Sequence, residues 1–297
     1  MSNGPLGDWK DYIQANLPTG MTYANFRFVV NGKNFLTYQQ ANWYLGYLMR
    51  SGGFDPLSLF AGGTEGAWFD PSDLSTLFQD SAGTTPVTAS GQPVGKMLDK
   101  SGNGNHATQA VSASRPIYTE GSGLAWLAFD GVDDLMAVAD VSGMRQSIMT
   151  FFIGVDPLSL SLSTREEWFA SGNSGAFSTN NYILGNDASS FQIFGRTPAA
   201  LVSQGSMTAN AKVIVSARSD GTNINSRING AAQTTAALTL GTNDTTGFTL
   251  GSSKNNGVYS RFTQMNMYGL IVRGSTSSAD EITSTEAYLA AKTGVTL

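Results

Sequence analysis

The chain has no cysteine and a single histidine, His106, in 297 residues. The missing thiols exclude disulfides, thiolate metal sites and a cysteine nucleophile. They leave the compartment open, because such a chain suits oxidising and reducing surroundings alike. Charge is scarce as well. Asp, Glu, Lys and Arg make up 13% of residues, about half the usual ~25%. No two of the 17 Lys and Arg are adjacent, and the net charge is −5. Phosphate-backbone binding needs clustered cations, so neither nucleic acid nor an anionic membrane surface is an expected partner. No run approaches the ~18 apolar residues that a membrane-spanning helix requires. Met1-Ser2-Asn3-Gly4-Pro5 lacks the basic-then-apolar pattern of a signal peptide. The expectation is a soluble protein made in cytosol.

What is abundant points to β structure. Hydrophobic residues reach 41% and aromatics 10%, enough for a core. The neutral polar surface comes from 33 Ser, 29 Thr and 34 Gly, residue types that disfavour long helices and suit turns and strands. Residues 1 to about 20 are polar and punctuated by Pro5, Gly7, Pro18 and Gly20, as in an extended arm. Asn25–Val30 and Lys33–Tyr38 flank Asn31-Gly32, a hairpin signal because both turn residues must accept positive φ. Gln39–Arg50 carries Trp43, Tyr44, Tyr47 and Leu48 at helical spacing and stops at Ser51-Gly52-Gly53. A hairpin and one helix hold too little core to stand alone. Residues 1–53 therefore read as an assembly anchor that packs against a neighbour, in a homo-oligomer such as a trimer.

From residue 54 onward, short apolar runs alternate with turn signals such as Ser101-Gly102-Asn103-Gly104-Asn105, Asp130-Gly131, Asp220-Gly221 and Asn229-Gly230. This texture predicts an antiparallel sandwich and not a βα alternation. The last segment is helical: Ser278-Ala279-Asp280-Glu281 supplies a capping start, Ile282, Tyr288 and Leu289 an apolar face, and Gly294 the stop. Trp68 and Trp126 lie inside apolar runs and are assigned to the core.

Several strings fall in a specific order: Gly66-Ala67-Trp68-Phe69-Asp70; Leu98-Asp99-Lys100-Ser101-Gly102-Asn103-Gly104-Asn105-His106; Leu127-Ala128-Phe129-Asp130-Gly131-Val132-Asp133-Asp134; Arg227-Ile228-Asn229-Gly230; Met267-Tyr268-Gly269-Leu270-Ile271-Val272; and Glu286-Ala287-Tyr288-Leu289-Ala290-Ala291-Lys292. Over about residues 66–297 this order resembles the laminin-G-like members of the concanavalin A-like lectin/glucanase superfamily. The resemblance implies an all-β fold: an antiparallel jelly-roll sandwich with one concave face, here carrying the N-terminal hairpin-helix anchor and the C-terminal helix. The pairing of the Asp99–His106 and Phe129–Asp134 strings also resembles domains in virion proteins of tailed bacteriophages. It implies a tail, baseplate or head-fibre component, located in the virion beside other virion proteins.

Asp99, Asp130, Asp133 and Asp134 admit two readings. Turn carboxylates accept backbone N–H groups at strand ends, and calcium takes six to eight oxygen ligands of the kind such turns supply. Some relatives in the superfamily bind Ca²⁺, and the adjacent Asp133-Asp134 pair is the best candidate. No other cofactor is expected. Hydrolases of the superfamily set two carboxylates on one face of a strand in an E-x-D-x-x-E string, at the short separation that retention requires. That string is absent. Glu166-Glu167 would point to opposite faces of a strand and reads as a solvated strand end. His106 follows a turn, without a G-x-S-x-G partner for nucleophilic catalysis or enough ligands for zinc. No catalytic residue is assigned.

Sugars are held by aromatic faces with Asn, Asp, Gln or Arg fixing the hydroxyls. On that ground Trp168, Tyr182, Phe194, Arg196, Tyr259 and Arg261 are the candidate glycan-binding residues. The expected function is a non-enzymatic virion structural protein displaying a lectin-like domain toward host or environmental glycans. A polysaccharide depolymerase and a secreted, non-viral lectin are the alternatives.

Overall fold

The computed structural model describes residues 54–139, 148–159, 166–171, 183–187, 190–196, 199–237, 247–255 and 257–297. The expected arm, hairpin and helix of residues 1–53 lie outside them. The chain divides after Asp55, and the unit Pro56–Leu297 is the one described here.

Two antiparallel sheets stack on one another. The first runs Ala231–Ala232, Asn223–Ile228, Val213–Asp220, Ile148–Pro157, Gln264–Arg273, Leu124–Asp130 and Ile117–Gly121 from edge to edge, with Gly66–Phe69 also paired to Gln264–Arg273 and Ala236–Ala237 to Asn223–Ile228. The second runs Ala199–Ser206, Ser190–Arg196, Ile183–Asp187, Glu166–Ser171, Phe248–Leu250, Met136–Val138, Ala107–Thr108, Lys96–Met97 and Leu77–Phe78. The chain is thus the antiparallel β-sandwich that its composition and turn spacing predict. One apolar cluster fills the space between the sheets. At its centre Phe151 of the first sheet meets Phe169 of the second, ring centroids 5.2 Å apart and edge-on at 61°, and Phe169 meets Phe248 at 4.9 Å.

Ile148–Pro157 breaks the usual apolar–polar alternation, and the C-terminal helix is the reason. Met149, Phe151, Ile153 and Val155 face the core, while Phe152 and Gly154 on the other face are also buried. The helix Ala279–Thr293 lies across that outer face. Its start is the expected capping box: Ser278 Oγ accepts the Glu281 N–H at 3.2 Å and Glu281 Oε2 accepts the Ser278 N–H at 2.7 Å. Its end is Gly294 at φ 76°. Gly154 and Gly269, register partners on adjacent strands, let the helix settle. A Cβ at Gly154 would sit 2.7 Å from Thr293 Cγ2, and one at Gly269 3.1 Å from Leu289 Cδ2.

Candidate functional site

Of the sequence-predicted glycan residues, Trp168, Tyr259 and Arg261 have described side chains. Trp168 is fully buried, and its Nε1 donates to Asn186 Oδ1 at 3.0 Å. A bulge places Trp168 between Phe169, opposite Leu184, and Glu167, opposite Gly185. The tryptophan is therefore a core residue and presents no ring to a ligand. Phe194 and Arg196 lie on the strand Ser190–Arg196. Tyr182 lies outside the described residues. Tyr259, half-buried on the hairpin formed by Ser253–Asn255 and Val258–Ser260, has Lys254 Nζ 5.2 Å from its ring centroid. Arg261 follows the same hairpin and is engaged with a carboxylate beneath it.

That carboxylate corrects the reading of Glu166-Glu167 as a solvated strand end. Both side chains are buried. Glu167 Oε1 receives Arg261 Nη1 at 3.0 Å, which ties the hairpin to the second sheet. Glu166 accepts from Asn186 Nδ2 at 3.1 Å and from Ser159 Oγ. The low local polarity makes such pairing obligatory, because a buried charge without partners costs several kcal/mol. Each carboxylate is thus engaged in holding two strands or a strand and a loop.

The turn carboxylates separate into two groups. Asp99 is a staple: its two oxygens accept from Trp68 N, Ser101 N, Ser101 Oγ and Asn105 N at 2.7–3.0 Å. Asn103 and Asn105 then clamp the Gly66 carbonyl, at 3.1 and 2.7 Å. His106 joins this structural job, its Nδ1 accepting the Asp99 N–H at 3.1 Å. Asp99 therefore does not accompany the other three acids.

Asp130, Asp133 and Asp134 do come together, each offering an oxygen within 4.8 Å of the others. Asp130 Oδ1 caps the turn through Val132 N at 2.8 Å, Asp134 Oδ2 accepts Asp130 N at 3.0 Å, and Asp133 Oδ2 takes Ser114 Oγ at 2.8 Å. Burial, followed by the charges of Asp130 and Asp133, raises the Asp134 pKa to about 6. Among the described residues these three are the ones that could hold a cation; the turn bonds alone also account for their presence.

A second polar cluster was not anticipated by residue type. Trp126 is half-buried on the outer face of the first sheet, not in the core as expected, because it alternates with the inward Leu127 and Ala125. Its ring packs on Tyr268, centroids 5.5 Å apart, and Lys212 Nζ lies 5.2 Å from the Tyr268 centroid. The register sets Asn266 between Ala128 and Asp156 on this face. Asp156 is only 9% exposed, and its Oδ1 has no hydrogen-bond partner among the described residues. Burial raises its pKa against the opposing pull of Lys212 and Asn266. Burial, then the Asp156 charge, lifts Tyr268 to about 12, so its hydroxyl stays protonated. An aromatic ring with one supported face thus sits beside a carboxylate, an amide and an ammonium. Such a set can stack on a sugar ring and exchange hydrogen bonds with its hydroxyls.

No protein-family model matches the chain, and no curated protein matches it. Solved structures do. A Trypanosoma rangeli sialidase in complex with 2,3-difluorosialic acid is similar at 13% identity and a TM-score of 0.51, covering 96% of this chain and 38% of the sialidase chain. The CBM40 of the Ruminococcus gnavus IT-sialidase, bound to α2,3-sialyllactose, is 13% identical over 50% of this chain and 90% of its own, with a TM-score of 0.43. The type G botulinum neurotoxin receptor-binding domain is 11% identical over 64% of this chain and 48% of its own, TM-score 0.47. At such identities the likeness to the sialidase is one of fold, and the described unit is a β-sandwich of that general kind.

Proposed function

We propose that this chain is a carbohydrate-binding, non-hydrolytic β-sandwich protein of a tailed-bacteriophage virion. The observation that carries the carbohydrate reading is the outer-face cluster. Trp126 offers a ring backed by Tyr268, and Asp156 beside Asn266 and Lys212 keeps an unpaired oxygen on the same side. An unmet buried acceptor costs roughly 1–3 kcal/mol, a cost that a sugar hydroxyl donating to Asp156 would offset. The non-hydrolytic reading is supported by the engagement of Glu166 and Glu167 in strand-to-strand and strand-to-hairpin bonds. Support for the virion setting is the ordered pairing of the Asp99–His106 and Phe129–Asp134 strings, and support for a homo-oligomer is the aromatic-rich segment 39–50. The acid cluster at Asp130, Asp133 and Asp134 would take Ca²⁺, bridging the turn after Leu124–Asp130 through oxygen ligands alone.

The test is a screen of the full-length protein against bacterial surface polysaccharides and oligosaccharides, α2,3-sialyllactose included, read for binding and for new reducing ends or unsaturated uronates together. Saturable binding without product supports the reading. Product formation, or binding to none of the panel, contradicts it. Sedimentation equilibrium of the same sample is expected to return a trimer mass, and a monomer would refute the assembly part.

A further inference from the structure

We propose that the groove between the C-terminal helix and the edge strands of the first sheet binds the carboxylate of an acidic sugar. The proposal rests on the carbohydrate-binding reading but uses a different set of residues. The groove encloses about 260 Å³ and is lined by Arg218, Arg227, Asn225, Gln233 and Thr235 of the sheet side and Thr283 of the helix. Pockets for drug-sized ligands run to ~300–1,000 Å³, so this smaller space suits one sugar ring. A shallower depression continues past Arg227 toward Leu297, along which a chain could leave.

Pairing explains why two guanidinium groups meet here. Ser216 lies opposite Arg227 and Arg218 opposite Asn225, so all four project from the outer face beside the helix. Glu286 holds Arg227 by its Nε, at 2.9 and 3.1 Å, and also accepts from Ser216 Oγ. That grip orients Arg227 and neutralises it in part. Arg218 is different. Its Nη1 donates to the Ser277 carbonyl at 3.1 Å, its Nε has no partner, and it forms no ion pair among the described residues. Arg218 acts on the exposed Asp220 only through space, so in a chain of net charge −5 its guanidinium remains open to a direct pair with an external carboxylate. Arginine's planar fork matches a carboxylate through two parallel N–H bonds. The remaining lining is neutral: Thr235 Oγ1 donates to Asn225 Oδ1 at 2.6 Å, and Gln233 Nε2 donates to the Ala231 carbonyl at 3.0 Å. Amides and hydroxyls around one cationic centre are suited to a ring of hydroxyls bearing a single negative charge.

The experiment is an NMR titration of the full-length protein with D-galacturonate, D-galactose and sodium acetate, which separate carboxylate from ring. Galacturonate is expected to bind at least about tenfold more tightly than either of the others. Arg218→Ala should weaken it roughly 10- to 100-fold, the loss expected for a charge-assisted hydrogen bond. Thr283→Trp, at an exposed helix position on the rim, should block the groove while leaving both guanidinium groups in place, which guards against misfolding of the arginine variant. Galacturonate no better than galactose or acetate, or undiminished in both variants, overturns the proposal. Loss of galacturonate binding in Trp126→Ala but not in Arg218→Ala would remove this site and keep the outer-face reading.

Discussion

Lys292 Nζ lies 3.0 Å from Asp70 Oδ2, so the last turn of the C-terminal helix is fastened to the residue that follows the sandwich's first strand. Tyr288 Oη donates to the same oxygen at 2.9 Å and Lys100 Nζ lies 3.4 Å away, while Ser72 occupies Oδ1. Burial alone would raise the Asp70 pKa, but Lys292 and Lys100 outweigh it and hold the carboxyl well below the ordinary range. A depressed folded-state pKa means stability that is present above the unfolded value near 4 and lost as pH falls beneath it. Asp70→Asn is therefore expected to cost about 3–5 kcal/mol at neutral pH, since it strands buried ammonium groups. Its penalty should shrink in part under acid, where the unfolded wild type binds a proton that the folded Asp70 carboxyl still refuses. Denaturant melts at pH 7 and pH 3 check both parts.

Gly154→Ala probes how the helix is seated. The added methyl would lie 2.7 Å from Thr293 Cγ2, inside any real contact distance. Overpacking of this kind costs roughly 1–3 kcal/mol. Thr293→Ala in the same chain should recover part of the loss, because it removes the atom that clashes. Chemical denaturation of the single and double variants measures the coupling.

Asp134 makes the opposite pH prediction from Asp70. Its folded pKa, about 6, stands above the ordinary carboxyl value near 4, so its contribution is fully present below pH ~4 and is lost as pH rises through 6. Asp134→Asn keeps an acceptor for Asp130 N while removing one of three crowded charges. It is expected to melt higher than wild type at pH 7.5 and about equally at pH 4. Millimolar CaCl₂ should raise the melting temperature of the wild type and not of the variant, by linkage of binding to folding. Equal shifts in both would place calcium elsewhere.

Glu167→Gln and Glu166→Gln separate structure from chemistry. Glu167→Gln is expected to lose about 1–3 kcal/mol through the weakened bond to Arg261, with exchange of the amides of Val258–Ser260 rising as that hairpin loosens. Neither variant should change the yield of reducing ends from any polysaccharide, because the wild type is expected to give none.

The sequence was most legible where structure is local. Ser278, Glu281 and Gly294 mark the helix because caps act within one turn, and Asn229 and Gly230 adopt the positive φ that their turn demands. The two-sheet architecture followed from short apolar runs. The sites were less legible. Glu166 and Glu167 look solvated in sequence, yet a bulge, Asn186 and a hairpin some ninety residues downstream bury them. Trp168 follows a charged pair and reads as a ligand contact, while Trp126 sits in an apolar run and reads as core. Only the strand register shows that one is enclosed and the other opens outward, although the alternation of Trp126 and Ala128 with Leu127 and Phe129 carried that signal. Asp156 and Asn266 come from two strands and Lys212 from the residue before a third, and no local pattern links them.

The most direct measurement is a calorimetric titration of the best-bound saccharide from the panel into wild-type, Trp126→Ala and Asp156→Asn proteins at one salt concentration. The account predicts one saturable isotherm for the wild type, affinity at least roughly tenfold lower for Trp126→Ala as expected for a lost stacking face, and a smaller loss for Asp156→Asn. Unchanged affinity in both variants, with their melting temperatures intact, would contradict it.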